Sequence, residues 1–575
     1  MSSVSFDSEI TDDERRTRLN AKIDGLGRGD KDLRPTPLLL FIVLSALLIR
    51  TLFAVLFTGE IDAEGTEYAR IAQNLIAGNG YVGIATPGTE LLFPPLFSFL
   101  IAGVTLIVGD AEVAGRIVSV VFGTLLAFPV YLIAGRLFGQ RTALVAAALT
   151  AFHPYLIVFS VSVFGESTFL TFLMAAVYSA MYAATKPTRL ALAASGALYG
   201  ASYLVRPEAF IYMLVGLGCF LLSRLLFARD KLRSIAGRAL LMPLLFLVVA
   251  GPYIGWLSMH AGHLRLEGKS PLNLSVELKT IRGLSDMEAS FGVDQNLTEQ
   301  GFYYQPNVNL FASYRFSLSD LMSLVKARAK TVVGNTGAAV AGWLSPALFA
   351  LAMLGLFSRA WGPSLVLDQL HLFVLLVLSI LATFFIYSAP LRYYLLVLVL
   401  FSIWACAAKD GLKLWAQRSA SLCGLGERQQ GVVAAVAWSL AIAAVILPPA
   451  VFSIHSFRYM RGTRPIKALA ENMAVTREPL RFADASGTFA FNAGAQFVWL
   501  PYCDEATALQ FLNKRHVTHV VARGEALEWR PYLKKWMESG VPGGSLVAQA
   551  ISGTGEKVQV YELRRAGASE LLHVE

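Results

Sequence analysis

The densest group of ionisable side chains in the sequence directly follows the first long apolar run. Four carboxylates fall within eight residues there: Glu60, Asp62, Glu64 and Glu67. Asp62 is of a residue type that caps helices, and a helix is predicted to begin near Ala63 with acidic residues in its first turn. For the three glutamates, capping and solvated charge is the favoured interpretation. Asp62, held at a fixed helix start beside an apolar run, is a candidate general base.

A second isolated carboxylate, Glu166, lies between two apolar runs. No other Asp or Glu occurs between Glu112 and Glu208. An ionised group in such a position costs free energy unless it reaches water or a partner. Glu166 is therefore predicted either to support the start of the following helix or to share a catalytic site with Asp62.

Three arginines are candidates for binding an anion. Arg392, followed by Tyr393, opens a late apolar run, where a guanidinium could hold a phosphate by two charge-assisted hydrogen bonds. Arg206 is a weaker candidate, because it can simply pair with the nearby Glu208. Arg50 lies inside the first apolar run, about two turns before its end. It is expected either to extend its charge towards the membrane surface or to join the same anionic site.

A metal site has little support in the sequence. His260 and His263 are three residues apart and Glu267 is nearby, but two histidines are more typical of a surface. The four cysteines show no metal-binding spacing and are far apart in the chain: Cys219, Cys406, Cys423 and Cys503. No metal ligand and no certain cofactor are predicted, and a divalent cation stays an open alternative.

The composition is that of a polytopic membrane protein. Of 575 residues, 55% are hydrophobic and 15% charged, whereas soluble domains carry about 25% charged residues. The mean hydropathy is +0.55. The net charge of +9 does not indicate nucleic-acid binding, because the basic residues form short clusters between apolar runs, as the positive-inside rule predicts.

The membrane topology depends on the run 91–108, which begins with Pro94-Pro95 and is marginal in length for a span. If this run lies in the outer interface, every major Lys/Arg cluster between spans faces the cytoplasm. This gives about eleven spanning helices, with the N-terminus inside and the C-terminus outside. The apolar runs fall near 37–57, 91–108, 113–135, 142–164, 167–185, 188–204, 209–228, 239–258, 336–357, 369–389, 391–408 and 431–454.

Three regions are predicted. Residues 1–36 are expected to form a flexible basic cytoplasmic tail rather than a signal peptide. Residues 37–454 form the membrane domain, with outer loops at 58–112 and 259–335. Residues 455–575 form a small extracytoplasmic α/β domain, whose alternating strands and helices indicate a partly parallel sheet. Its predicted strands are Arg481–Asp484, Gln496–Leu500, Val517–Ala522, Ser545–Ala550 and Lys557–Glu562, and its predicted helices are near Ile466–Met473, Glu505–Lys514 and Pro531–Ser539.

A series of short motifs over residues 37–410 resembles the GT-C superfamily of integral-membrane glycosyltransferases. The similarity is closest to the branch that contains protein O-mannosyltransferases and the lipid A aminoarabinose transferase. The motifs occur in the family's order: Asp62-x-Glu64 with Tyr68-Ala69, Gly78-Asn79-Gly80-Tyr81, Pro94-Pro95, Gly115-Arg116, Gly135-Arg136, His153-Pro154, Phe164-Gly165-Glu166 and Arg392-Tyr393.

The resemblance implies an inverting glycosyltransferase. The basic cytoplasmic tail and the absence of eukaryotic retention signals predict that the membrane is a bacterial inner membrane. The donor would be a polyprenyl-phosphate sugar, and the acceptor a hydroxyl of a lipid, glycan or protein at the outer face. Asp62 would be the catalytic base, Glu166 the second acidic residue, and Arg392 with Arg206 the phosphate-binding groups. The sequence departs from the aminoarabinose transferases at Phe93, where they carry a basic residue.

Four more residues are expected to contribute to substrate binding: Glu64, Tyr68, Tyr393 and Arg50. The alternative function is a polytopic transporter or a lipid or polysaccharide flippase. Transporters concentrate ionisable groups and broken helices near the membrane midplane, often within inverted repeats. The sequence shows no inverted repeat, and Arg50 is its main deep charge.

Overall fold

The computed structural model describes residues 36–86, 88–305, 307, 317–357, 365–385, 391–474 and 480–564. Almost all of the predicted cytoplasmic tail lies outside the described residues. The helices of the membrane region are α1 (Pro37–Leu56), α2 (Ala63–Ile76), α3 (Pro95–Val108), α4 (Ala111–Leu125), α5 (Ala127–Phe138), α6 (Gln140–Phe152), α7 (Pro154–Val161), α8 (Glu166–Thr185), α9 (Arg189–Tyr203), α10 (Ala209–Leu222), α11 (Leu232–Ala239), α12 (Leu241–Ala261), α13 (Ser270–Ile281), α14 (Asp286–Phe291), α15 (Leu318–Ala338), α16 (Pro346–Phe357), α17 (Val366–Ala382), α18 (Leu395–Leu422) and α19 (Glu427–Gly462).

The chain is a multi-pass membrane protein. Within the described ranges, seven helices are long and apolar enough to cross a membrane, and nine if each of two bent helix pairs forms one span. The predicted number was about eleven. Two of the predicted spans form the shorter helices α9 and α17, of 15 and 17 residues, whereas about 20 residues are needed to cross the hydrocarbon core.

Helix α3 corresponds to the run on which the predicted topology depends. It has 14 residues, which gives a length of about 21 Å, against about 30 Å for the hydrocarbon core. Leu106 and Ile107 at its end are 74% and 84% exposed. The length favours an interfacial helix over a span, as predicted.

Helix α18 is the centre of the membrane region. Its residues from Leu395 to Ala408 are almost all buried, and a helix that is apolar on all sides belongs in such a position. A short 3-10 turn, Leu391–Tyr394, directly precedes it. Arg392 is therefore fixed at the end of the best-packed helix of the protein.

The terminal domain is built on five strands: β1 (Arg481–Asp484), β2 (Gln496–Trp499), β3 (His519–Arg523), β4 (Gly544–Ile551) and β5 (Lys557–Leu563). The strand order is β2-β1-β3-β5-β4. Strand β1 pairs in parallel with β2 and β3, while β5 pairs antiparallel with β3 and β4. The predicted partly parallel sheet is thus present. Its helices are α20 (Arg464–Met473), α21 (Thr488–Asn492), α22 (Glu505–Lys514) and α23 (Leu533–Ser539).

Helix α19 joins the two regions without a break at residue 455. It continues to Gly462 over 36 residues, a length of about 54 Å, and α20 follows within two residues. The domain is therefore mounted on the C-terminal end of the last membrane helix, next to the start of α2.

Candidate active site

Asp62 occupies the predicted N-cap position of α2, with the extended backbone angles of a cap residue, φ −63° and ψ 151°. Its side chain makes no capping hydrogen bond. Asp62 is an exposed residue by its surface area, but protein atoms are packed densely around its carboxyl group. This burial raises the pKa of Asp62 to about 6, with Glu166 and Glu64 acting in the same direction and Arg116 and Arg392 opposing them. An aspartate with such a pKa is a base near neutral pH.

Glu64, two residues after Asp62 in the sequence, lies between two cations. Its carboxylate pairs with the guanidinium of Arg392 and with the ammonium of Lys269. Burial alone would raise the pKa of Glu64, but these two cations lower it to about 2. Glu64 is therefore ionised at neutral pH and orients Arg392 rather than accepting a proton.

Glu166 is the first residue of α8 and lies between two arginines. Its Oε1 is 3.5 Å from Arg392 Nε and 3.5 Å from Arg206 Nη1. Arg206 also pairs with Glu208 at 2.7 Å, as the sequence predicted. The structure thus brings Glu166, Arg206 and Arg392 into one cluster, although they are up to 226 positions apart in the chain.

One donor of the cluster has only a distant carboxylate partner, Glu166 Oε1 at 3.5 Å. Arg392 Nε is buried and makes no hydrogen bond within the described part of the chain. The ring of Tyr393 lies under both arginines, 4.5 Å from the Arg206 guanidinium carbon and 5.5 Å from that of Arg392. The aromatic ring holds the two guanidinium groups side by side, which suits a bidentate oxyanion such as a phosphate.

Sequence reasoning missed Lys269, which completes this group of cations. Its ammonium contacts Glu64 and lies 3.8 Å from the centre of the Phe93 ring. A positive charge thus stands beside Phe93, where the resemblance expects a basic side chain, but it comes from the loop before α13. The available signal was the same as for Arg392, a cation on the predicted outer side.

Two cavities meet at Arg392. The first has a volume of about 600 Å³, and its polar end is formed by Glu64, Glu166, Arg206, Lys269 and Arg392, with Tyr68 and Tyr393 beside them. Its other wall is apolar and includes Ile211, Leu247 and Leu381, which are 47%, 54% and 51% exposed on the surface of the membrane region. The first cavity therefore connects a charged end with a lateral apolar opening.

The second cavity, of about 390 Å³, lies on the other side of Arg392. Asp62 and Arg392 form its inner end, and Phe159, His455 and Tyr459 are among its walls. The sequence-based hypothesis placed Asp62, Glu166 and Arg392 around one cavity. In the structure Glu166 lines the first cavity, Asp62 lines the second and Arg392 lines both.

Tyr68 packs its ring edge-on against Phe93 and Phe97, with centroids 5.0 and 4.9 Å away. Tyr68 therefore lies in the wall of the first cavity, where it could contact a substrate as the sequence predicts. The remaining predicted contact, Arg50, follows neither of the two expectations. Its side chain is fully buried and donates to Ser160 Oγ at 2.9 Å and to the Ala151 carbonyl at 2.6 Å.

The helix break explains the position of Arg50. Helices α6 and α7 are bent by 51° at His153, because Pro154 has no N–H to continue the hydrogen-bond ladder. The break leaves carbonyl groups near Ala151 without helical partners, and Arg50 supplies the missing donor. Arg50 therefore stabilises a broken span and makes no ion pair with the site carboxylates.

The two histidines each contact a backbone carbonyl through Nδ1. His260 Nδ1 lies 2.9 Å from the Trp256 carbonyl and His263 Nδ1 lies 3.0 Å from the Ala261 carbonyl. Glu267 accepts hydrogen bonds from the backbone of Lys269 and Ser270. Throughout the ranges that the structure describes, no group of three or more His, Cys, Asp or Glu side chains is placed to hold a metal ion.

The sequence profile of the dolichyl-phosphate-mannose-protein mannosyltransferases matches residues 93–256, less than a third of the chain. No curated protein matches the sequence as a whole. The segment matched by the mannosyltransferase profile includes Glu166 and Arg206 and ends before Lys269.

Solved structures are similar over nearly the whole chain. The apo oligosaccharyltransferase of Archaeoglobus fulgidus has a TM-score of 0.56 and 15% identity, covering 91% of this chain and 75% of its own. ArnT from Cupriavidus metallidurans, bound to undecaprenyl phosphate, has a TM-score of 0.51 and 14% identity, covering 92% and 98%. AglB from Archaeoglobus fulgidus, in complex with an inhibitory peptide and dolichol-phosphate, has a TM-score of 0.52 and 16% identity, covering 90% and 74%.

At these identities the similarity concerns the fold. The chain therefore shares its fold with these oligosaccharyltransferase and ArnT structures, and over residues 93–256 it is similar to the dolichyl-phosphate-mannose-protein mannosyltransferases.

Proposed function

We propose that this protein transfers a sugar from a polyprenyl-phosphate donor to an acceptor hydroxyl, with inversion at the anomeric carbon. The observation that carries the proposal is the meeting of the two cavities at Arg392, with a cation cluster on one side and a candidate base on the other. The similar structures with bound undecaprenyl phosphate or dolichol-phosphate support a donor of this chemical class.

The donor fits the first cavity. Its phosphate would bind Arg392, Arg206 and Lys269, while its polyprenyl chain would leave through the apolar opening between Ile211 and Leu381. Amphipathic placement of this kind keeps the phosphate at the level of the headgroups and the hydrocarbon in lipid. Lys269 belongs to the loop between α12 and α13, which would cover the bound donor and exclude water.

The acceptor fits the second cavity, beside Asp62. As the acceptor oxygen attacks the anomeric carbon, its proton passes to Asp62 and the bond between that carbon and the phosphate oxygen breaks. The bonding electrons leave with the phosphate, and Arg392 and Arg206 stabilise the added negative charge. The phosphate leaves as an anion that needs no protonation, so one base suffices. Glu166 contacts both arginines and would keep their guanidinium groups oriented towards the phosphate.

The test is a transfer assay on the purified protein in lipid vesicles. Radiolabelled sugars on undecaprenyl phosphate and dolichol phosphate are offered with lipid, glycan and peptide acceptors. The proposal expects a glycosylated acceptor together with free polyprenyl phosphate. A flippase would instead move the intact donor across the vesicle membrane and release no polyprenyl phosphate, which would overturn the proposal.

A further inference from the structure

A buried arginine of the terminal domain contacts the loop that carries Asp62. Arg523, at the end of β3, is 6% exposed. Its Nε lies 3.0 and 3.1 Å from the two carboxylate oxygens of Asp484. Its two terminal nitrogens donate to the two oxygens of Glu60 at 3.1 and 3.0 Å, and one also donates to Thr488 Oγ at 2.9 Å. All three nitrogens of this guanidinium are hydrogen-bonded.

Glu60 belongs to the short segment 57–62 between α1 and α2, and the terminal region also holds its backbone. Glu60 N donates to Thr463 Oγ at 2.8 Å. Arg464 donates to the carbonyls of Thr58 at 2.7 Å and Leu56 at 2.9 Å. The contact at Gly59 is so close that an added Cβ would lie 1.7 Å from the Met460 carbonyl oxygen.

The side chain of Asp62 makes no capping hydrogen bond and accepts none from any residue that the structure describes. Its position depends on the backbone of the two residues before it, and these are held from the other end of the sequence. A shift of about 1 Å at a catalytic group is enough to lower a rate about a hundredfold.

We propose that the terminal domain positions the catalytic loop, with Arg523 as a positioning residue that acts on Asp62 through Glu60. This inference rests on the proposed function. The contact needs the planar fork of arginine, because a lysine ammonium cannot donate to two carboxylates and a hydroxyl in fixed directions. Breaking it leaves Glu60 or Asp484 buried without its counter-charge, which favours movement of the segment towards water.

The experiment compares Arg523→Lys and Glu60→Gln with wild type in the transfer assay. Both variants keep the size of the side chain, and Glu60→Gln leaves the Arg523–Asp484 pair intact, so the domain retains its own buried ion pair. We expect kcat to fall about tenfold or more in each variant, with the donor KM unchanged within about twofold. The acid limb of the pH–rate profile moves, because Asp62 shifts relative to its charged neighbours.

The coupling between the two residues is tested by the double variant. If they act as a unit, the double variant loses no more kcat than the worse single variant. The matched control is Lys535→Ala, which breaks the exposed pair of Lys535 with Glu505 at 2.5 Å within the same domain. This control is expected to leave kcat and the pH profile unchanged.

The outcomes separate the two proposals. If the wild type transfers no sugar, the proposed function fails. If the wild type is active and the folded Arg523→Lys and Glu60→Gln proteins keep wild-type kcat and pH profile, the positioning role alone is wrong. A lower amount of folded protein with an unchanged pH profile and kcat per folded molecule also overturns it, because that result shows a merely structural pair.

Discussion

Asp62 and Glu64 illustrate how neighbouring carboxylates on one turn acquire different chemistry. Asp62 has no ion-pair partner of its own, and burial raises its pKa to about 6. Glu64 has two cations against it, which lower its pKa to about 2. The environment thus leaves one proton acceptor and one permanent anion, a separation of roles that is typical of sites with paired acids.

Replacement of the base gives the most direct prediction. Asp62→Asn removes the proton acceptor and keeps the shape, so we expect the transfer rate to fall by more than about a hundredfold with little change in donor KM. The measurement is steady-state transfer by purified protein, with donor binding assayed separately. Turnover at the wild-type rate would eliminate Asp62 as the base.

The pH dependence follows from the same group. A base with a pKa of about 6 is active when ionised, so the rate should be constant above about pH 7 and fall as the pH drops through 6. Below pH 5 the expected slope is about tenfold per pH unit. A profile of kcat/KM against pH measures this, and an acid limb centred near pH 4 would contradict the pKa that burial gives to Asp62.

The added cation is tested by Lys269→Met, which keeps the length of the side chain. Loss of one charge-assisted hydrogen bond of about 1.5–3 kcal/mol predicts a donor KM at least about tenfold higher, with a smaller change in kcat. Lys279→Met is the matched control, since Lys279 donates to the Gln300 carbonyl at 2.5 Å and does not line the first cavity. Equal donor KM in both variants would remove Lys269 from the phosphate site.

At the scale of elements, the sequence predicts best where local rules dominate. The start of α2 at Asp62, the strands β1 and β5, and the short helix α3 follow from capping, alternation and proline position. The cluster of Glu166 with Arg206 and Arg392 was also predictable, because isolated charges at helix ends need partners.

Long-range packing explains what the sequence could not show. Arg50 fills a helix break whose free carbonyls are visible only once α6 and α7 are bent. Lys269 stands in a polar stretch where a lysine is ordinary, and Arg523 meets Glu60 across 463 positions. None of these pairings leaves a period or a motif in one sequence.

The packing of the central helix provides a prediction for stability. An added Cβ at Gly355 of α16 would lie 1.7 Å from the Trp404 carbonyl oxygen of α18, so a backbone must move. Gly355→Ala should therefore destabilise the membrane region by about 1–3 kcal/mol and lower Tm in detergent by about 1–3 °C. The control is Gly251→Ala in α12, where nothing lies within 4 Å. If the Tm of Gly355→Ala equals that of this control, the close packing of α16 against α18 at Gly355 is contradicted.

At the scale of the whole molecule, the two cavities share Arg392. The charged groups that line them must therefore lie near the same face of the membrane. Residues from the ends of α2, α8, α9 and α18 converge there. The terminal domain contacts the loop before α2 through the pair of Arg523 with Glu60. Under the proposed function, the donor phosphate, the acceptor and the terminal domain would therefore all lie on one face. The Lys/Arg clusters on the opposite ends of the helices predict that this face is the outer one.

Thiol labelling in right-side-out vesicles tests that orientation with the protein's own geometry. Cys423 is exposed at the end of α18 opposite Arg392, and the predicted topology places it inside. Leu264→Cys, at a position 79% exposed, lies in the loop that contains Lys269, and Glu528→Cys lies on the exposed surface of the terminal domain. A membrane-impermeant maleimide should label both new cysteines in intact vesicles and reach Cys423 only after the membrane is opened. Labelling of Leu264→Cys and Glu528→Cys from opposite sides would separate the terminal domain from the loop of Lys269, and the positioning contact at Glu60 would then have no place in the membrane-embedded protein.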